Sequence, residues 1–299
     1  MKIRYWGVRG SIPVPGKETL IYGGNTACVS VETDDAFLIF DAGTGVRECG
    51  NFLLSRGGGL KATFFISHTH WDHIQGFPFF IPAYLPGNSF DLYGPPSEIQ
   101  DLPLKKIMAL QTSYEYFPIH QDQLAAGIRY FDCQAAPFQV EGIEVQTCRL
   151  NHPVTCLAYK IIHQGKTFVY GGDHEPFSNI YRNADQADDL DEEMLTELDG
   201  VAAEQNERIV DFCRGADLVS WDGQYSDDDY QTHKGWGHSY YSADLDLAQR
   251  AAIKHICLTH HDPTASDEKL AATERELKAA AAEQGFELHL AKEGLEIVL

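Results

Sequence analysis

The chain has 299 residues, of which 43% are hydrophobic, 11% aromatic and 22% charged. This is a globular composition, and it excludes disorder, collagen and coiled coil as readings of the whole chain. Lysine and arginine number 23 against 44 acidic residues, a formal net charge of −21; such a surface repels long polyanions and argues against stable nucleic-acid binding through many phosphate contacts, yet allows a small anion held at a bound cation.

Chain order begins with Met-Lys-Ile-Arg-Tyr-Trp-Gly, which has no apolar h-region and no small-residue cleavage site, so no signal peptide is predicted. Residues 2–6 and 27–32 alternate as strands, and 37–40 is a continuous apolar run ending in Asp41-Ala-Gly-Thr-Gly, a strand and a tight turn. Residues 60–67 form a buried strand, and 128–132, 142–149, 157–163 and 167–170 read as further strands. Helical spacing covers 191–214, 243–253 behind Ser242 as N-cap, and 267–284 ended by Gly285, with strands returning at 256–258 and 287–291. Two blocks of strands, each followed by helix, predict two packed sheets with helices outside. No repeat or long linker divides the chain, so a single domain over 1–299 is expected. Residues 184–229 hold 16 acidic and two basic residues and supply 14 of the 21 net negative charges. That segment reads as a solvated helical face or as an acidic cap at a site mouth.

Seven scattered cysteines without a CxxC predict reduced thiols in a cytoplasmic protein, neither a disulfide framework nor a cysteine zinc site. The apolar runs are far too short to span a bilayer, so no membrane partner is expected.

The strongest chemical signal is His68-Thr-His70-Trp-Asp72-His73, three imidazoles and a carboxylate in six residues just after a buried strand. His68 and His70 alternate on an extended segment and reach one cation; the turn through Asp72 and His73 points at a second. Imidazole with carboxylate suits Zn²⁺, Mn²⁺ or Fe. Other candidates emerge where strands stop: His152 after 142–149, Asp173 after 167–170, and His260 or His261 after 256–258. With the six-residue cluster they can fill two metal sites.

This constellation resembles the metallo-β-lactamase superfamily, whose HxHxDH motif is followed by a histidine, a bridging aspartate and a final histidine. The resemblance implies a four-layer αβ/βα sandwich with two divalent ions at one edge. It implies His68, His70 and His152 on the first ion, Asp72, His73 and His260 on the second, and Asp173 between them. His260 is preferred to His261 because Thr-His fits the closing motif better. Asp41 resembles the family's aspartate that orients a metal-bound histidine.

The stretch Lys234-Gly-Trp-Gly-His238-Ser239 resembles the ribonuclease Z-like phosphodiesterase branch, and so does the strand ending at Asp222. There the histidine contacts the scissile phosphate or protonates the leaving group; the plainer reading is helix capping or stacking beside Trp236. Gly7-Val-Arg9-Gly10-Ser11 and Tyr22-Gly-Gly-Asn25-Thr26 resemble a bacterial metal-dependent hydrolase subgroup, and Arg9 and Asn25 are candidate anion contacts or parts of plain turns. No basic or Gly/Pro-rich arm like the tRNA clamp of ribonuclease Z is present. The expected function is therefore a dinuclear metal phosphodiesterase with catalytic Asp72 and His238 and a small anionic substrate such as a cyclic nucleotide. Hydrolysis of a carboxylic ester, thioester or lactone uses the same metal ligands and is the alternative, followed by a metal-stabilised scaffold or sensor. Tyr114, Tyr116 and Phe117 either stack on a base or pack into the fold. The branch resemblance also implies a homodimer.

Overall fold

Alternate residues of the run Phe37–Phe40 face two different cores. Leu38 and Phe40 belong to the cluster between two sheets, whereas Phe37 and Ile39 pack under helices on the outer face. The next strand repeats this, with Phe65 turned inward and Phe64 outward. A strand buried on both faces has no polar side to show, hence the unbroken apolar runs.

The computed structural model describes residues 1–133, 137–182 and 191–299. The elements are β1 (Lys2–Gly7), β2 (Cys28–Glu32), β3 (Phe37–Phe40), α1 (Val46–Leu54), β4 (Lys61–Phe65), α2 (Trp71–Ile74), β5 (Ser89–Gly94), α3 (Leu104–Leu110), β6 (Gly127–Asp132), β7 (Phe138–Val140), β8 (Ile143–Arg149), β9 (Leu157–His163), β10 (Lys166–Tyr170), α4 (Glu192–Cys213), β11 (Leu218–Asp222), α5 (Asp227–Tyr230), α6 (Tyr241–Arg250), β12 (His255–Thr259), α7 (Asp267–Gln284), β13 (Glu287–Leu290) and β14 (Glu296–Val298).

One sheet runs β14-β1-β2-β3-β4-β5-β6 and the other β13-β12-β11-β10-β9-β8-β7. Each is mixed: β3 to β6 and β10 to β13 pair in parallel, and the remaining neighbours are antiparallel. Phe40, Phe65, Tyr159, Phe168 and Tyr170 fill the space between the sheets. Val46, Cys49 and Leu53 of α1 seal the outer face of the first sheet, with Leu104 and Met108 of α3. Ile209, Val210 and Cys213 of α4, Leu247 and Ala248 of α6, and Leu270 and Leu277 of α7 seal the second. The result is the expected four-layer αβ/βα sandwich.

Two expectations change. The helix expected at 243–253 starts at Tyr241, and Tyr240 occupies the N-cap position. Ser242 instead donates its hydroxyl and its N–H to the Asp227 carboxylate, a charged acceptor. Of the acidic stretch, 184–190 lies outside the described residues. In the rest, the acidic residues of α4 face solvent as expected while its apolar side packs inward, and Asp222 departs from the pattern by being fully buried. No described helix is long and apolar enough to cross a membrane.

Candidate metal centre

The carboxyl ends of β3, β4, β8, β10, β11 and β12 meet at one rim, and every candidate metal-binding side chain below sits just after one of them. Loops at such strand ends are where α/β folds place their sites. His68, His70 and His152 offer ligand atoms to a common point, and Asp72, His73, Asp173 and His260 form a second buried group. Asp173 lies between them. Its Oδ2 is 3.5 Å from His68 Nε2, 3.2 Å from His73 Nε2 and 4.0 Å from His152 Nε2, and its Oδ1 is 3.4 Å from His260 Nε2.

The outer hydrogen bonds of the imidazoles assign their tautomers. His73 Nδ1 donates to Asp41 at 2.7 Å and His260 Nδ1 to Gln224 at 2.9 Å. Their two Nε2 atoms therefore face each other at 3.2 Å. His152 Nδ1 donates to the Gly237 carbonyl at 2.9 Å, leaving its Nε2 lone pair 3.0 Å from His70 Nδ1. Ser67 Oγ gives its proton to Asp41 and accepts from His68 Nδ1 at 3.0 Å, so His68 Nε2 is also a bare lone pair. His68 Nε2 and Asp173 Oδ1 are buried with no hydrogen-bond partner among the described residues. Converging lone pairs repel unless a cation lies between them. Separations of about 3.3 Å are what two donors on one tetrahedral zinc require, given bonds of about 2.0–2.1 Å. The residues fit a pair of divalent ions.

Electrostatics agree. Burial, followed by the neighbouring imidazoles, pushes His68 well below the ordinary histidine range, and His70 falls to about 4. Both are neutral and ready to coordinate at pH 7. Burial alone would lower His73 too, but Asp173, Asp72 and Asp41 outweigh it and raise it. Burial raises the Asp72 carboxyl, yet His73 and His260 outweigh this and hold it well below the usual carboxylate range. Asp72 Oδ2 also accepts the Ser11 N–H at 2.7 Å. His260 adopts φ 60°, a left-handed conformation that costs about 1–2 kcal/mol for a residue with a Cβ. Its neighbour Gly10 has to be glycine, because a Cβ there would lie 2.4 Å from the His260 ring.

His238 reaches the same rim from the loop before α6. Its Nδ1 is 2.9 Å from Asp222 Oδ2 and 3.9 Å from Asp173 Oδ2, and its ring stacks on His260 at 4.9 Å. Burial alone would lower His238, but Asp222 and then Asp173 and Asp72 raise it to about 9. Cations bound by Asp173 and His260 would pull it back toward neutrality. Asp222 is fixed in turn by the N–H groups of His174 at 3.1 Å and Gln224 at 3.2 Å. A mouth of about 440 Å³ opens beside His238, lined by Ser11, Thr69, His70, Trp71, Asp72 and Asp173.

Other candidates lie elsewhere. Arg9 is fully buried and does not face the mouth: its guanidinium donates to the carbonyls of Gly23, Asp262 and Ala265. Asn25 donates to the Glu293 carboxylate. The two residues bind loops together, and the anion-contact expectation gives way to the plain-turn reading. His261 turns away and donates to the Ala291 carbonyl at 2.7 Å, so His260 is the histidine at the cluster. Tyr114 and Tyr116 are exposed, and Phe117 packs edge-on against Phe79. Sequence reasoning missed Gln224, the Ser11 N–H and Glu175. Only Glu175 carried a local hint, following directly on Asp173-His174.

Asp41 is the most connected of the supporting groups. Its carboxylate accepts from Ser67 N–H and Oγ, His73 Nδ1 and Tyr170 OH, all at 2.7–2.8 Å. Asp41→Asn replaces an acceptor oxygen by a donor. Zinc affinity is expected to fall about 10–100-fold, the usual cost of losing a group that orients a metal-binding histidine. Competition against a chromophoric chelator measures this, and an unchanged affinity would show that Asp41 does not orient His73.

Architecture and donor set together define a metallo-β-lactamase-fold protein with a candidate metal centre. The family model described as a β-lactamase superfamily domain matches residues 37–261, and the chain belongs to that superfamily. It is 24% identical over 229 residues to ribonuclease Z of Brevibacillus brevis, covering 68% of this chain and 69% of that protein. The metallo-β-lactamase fold protein YhfI of Bacillus subtilis superposes with a TM-score of 0.67 at 17% identity, over 99% of this chain and 98% of the other. A diphosphatase of the PhnP family superposes with a TM-score of 0.65 at 18% identity, over 100% and 97% of the two chains.

Proposed function

We propose that the chain is a dinuclear metal-dependent phosphodiesterase acting on a small phosphodiester such as a cyclic nucleotide. The Asp222–His238 pair carries this reading. It is a cationic donor set beside the bridging aspartate, where a phosphodiester's leaving oxygen needs a proton. Similarity to ribonuclease Z and to a diphosphatase supports phosphorus as the reacting centre. The net charge of −21 favours a small substrate over a nucleic acid.

In this reading His68, His70 and His152 would hold one ion and Asp72, His73 and His260 the other, with Asp173 within reach of both groups. Zinc suits these donors best, with manganese or iron as substitutes. Two ions so held supply Lewis acidity toward a phosphoryl oxygen and lower the pKa of water. Asp72, held low and so a weak base, would orient the attacking water, whose proton passes to bulk solvent. His238 donates a proton to the departing oxygen, and Asp222 keeps it charged and aimed. Trp71, 79% exposed at the mouth, meets the substrate's outer part.

The test is hydrolysis of bis(p-nitrophenyl) phosphate by protein loaded separately with Zn²⁺ and Mn²⁺, with a thioester in parallel and a chelator control. Chelator-sensitive phosphodiester turnover is expected. Thioester turnover without phosphodiester turnover, at two ions per chain, would replace this reading by the carbon-ester alternative.

A further inference from the structure

Glu175 is 6% exposed and lies two residues beyond Asp173. Its carboxylate touches no metal-binding atom, yet it receives three donors. Oε1 accepts from Tyr230 OH at 2.9 Å and from the Gly235 N–H at 2.8 Å, and Oε2 accepts from the Gly237 N–H at 2.9 Å. Its own N–H donates to the Asn151 carbonyl at 3.0 Å. One residue thus joins three loops: the one after β8 that carries His152, the one after β10 that carries Asp173, and the one before α6 that carries His238.

The third loop needs such an anchor. Gly235 and Gly237 have φ of 84° and 88°, and a Cβ on Gly237 would lie 2.3 Å from His152 Nδ1. The turn therefore has to be glycine, and a Gly-Trp-Gly segment left free would sample many backbone states. The Gly237 residue that Glu175 grips is also the one whose carbonyl accepts from His152 Nδ1. Its next neighbour is His238.

We propose that Glu175 is a positioning residue that sets His238 against Asp173 and at the same time orients His152, through its two hydrogen bonds to the Gly235 and Gly237 amides. The effect on His152 depends only on the geometry above; the effect on turnover rests on the reading of His238 as proton donor.

The experiment compares Glu175→Gln, which keeps the volume but faces one glycine amide with an NH₂ group, with Glu175→Ala and His238→Ala. Amide exchange in the metal-free protein is read first. The Gly235 and Gly237 amides are expected to exchange about 10-fold faster or more in both Glu175 variants, as bonds that gate local opening are lost. Zinc affinity is expected to drop about 10-fold through His152. In turnover, kcat falls more than KM rises. The fall is steeper for a 3′,5′-cyclic nucleotide, whose leaving group is an alkoxide, than for bis(p-nitrophenyl) phosphate, as in His238→Ala. Unchanged amide protection and zinc affinity in the folded Gln variant would overturn the proposal. If instead His238→Ala shows no dependence on the leaving group, the proton-donor reading fails, while exchange and affinity still judge Glu175.

Discussion

Removing bound metal with a chelator is expected to lower the thermal midpoint by about 10 °C. An ion that binds only the folded chain stabilises it by about 2.7 kcal/mol when its free concentration is 100-fold above Kd. Two sites give about 5 kcal/mol, and a chain of this size moves about 2 °C per kcal/mol. Without cations the rim leaves His68 Nε2 and Asp173 Oδ1 buried and unpartnered. An unsatisfied buried polar atom costs about 1–3 kcal/mol, so the metal-free fold is where this protein is weakest.

Asp173→Ala sharpens the same prediction. Its two oxygens lie between both donor groups, so metal content is expected to fall from two ions per chain to one or none. Phosphodiester turnover is expected to fall by about 10³-fold, several kcal/mol of lost charge stabilisation at 1.36 kcal/mol per decade. Elemental analysis and kcat/KM measure the two arms. A midpoint that ignores chelation, or an Asp173 variant that keeps two ions, would refute the shared-carboxylate arrangement.

Local chemistry was legible in the sequence and distant geometry was not. His68 to His73 stand within six residues, so their common purpose showed without a fold. The two-sided burial of β3 and β4 showed as runs such as Phe37–Phe40. By contrast, the N-cap of α1 is Gly45, which has no side chain to cap with, so no N-cap residue announced the helix. The three-residue strand β14 exists through its pairing with β1 at the opposite end of the chain. Glu175 stood next to Asp173-His174, but its role was hidden for a related reason: its partners include backbone amides 60 and 62 residues away, which carry no residue signature. Arg9 erred the other way. Its type and its glycine neighbours suggested an anion, but three carbonyls from two loops far apart in sequence claim the guanidinium first.

His238→Ala carries the second large effect, and its size depends on the substrate. The variant is expected to keep two ions, because the alanine removes no atom of the His68–His70–His152 or Asp72–His73–Asp173–His260 groups. On a 3′,5′-cyclic nucleotide kcat is expected to fall about 10²–10⁴-fold, the usual worth of a positioned proton donor. On bis(p-nitrophenyl) phosphate the loss should stay within about 10-fold, since p-nitrophenolate is stable enough to leave without a proton. Asp222→Asn separates charge from geometry. Asp222 outweighs burial and raises His238 to about 9 in the metal-free fold; bound cations lower it from there, and the proton-donating form is lost as pH rises through the resulting pKa. Without the carboxylate charge, burial dominates and the His238 pKa falls. The alkaline limb of kcat/KM should therefore move to lower pH in Asp222→Asn and disappear in His238→Ala. Equal losses on both substrates, or an alkaline limb that stays in place, would mean that His238 orients the substrate and transfers no proton.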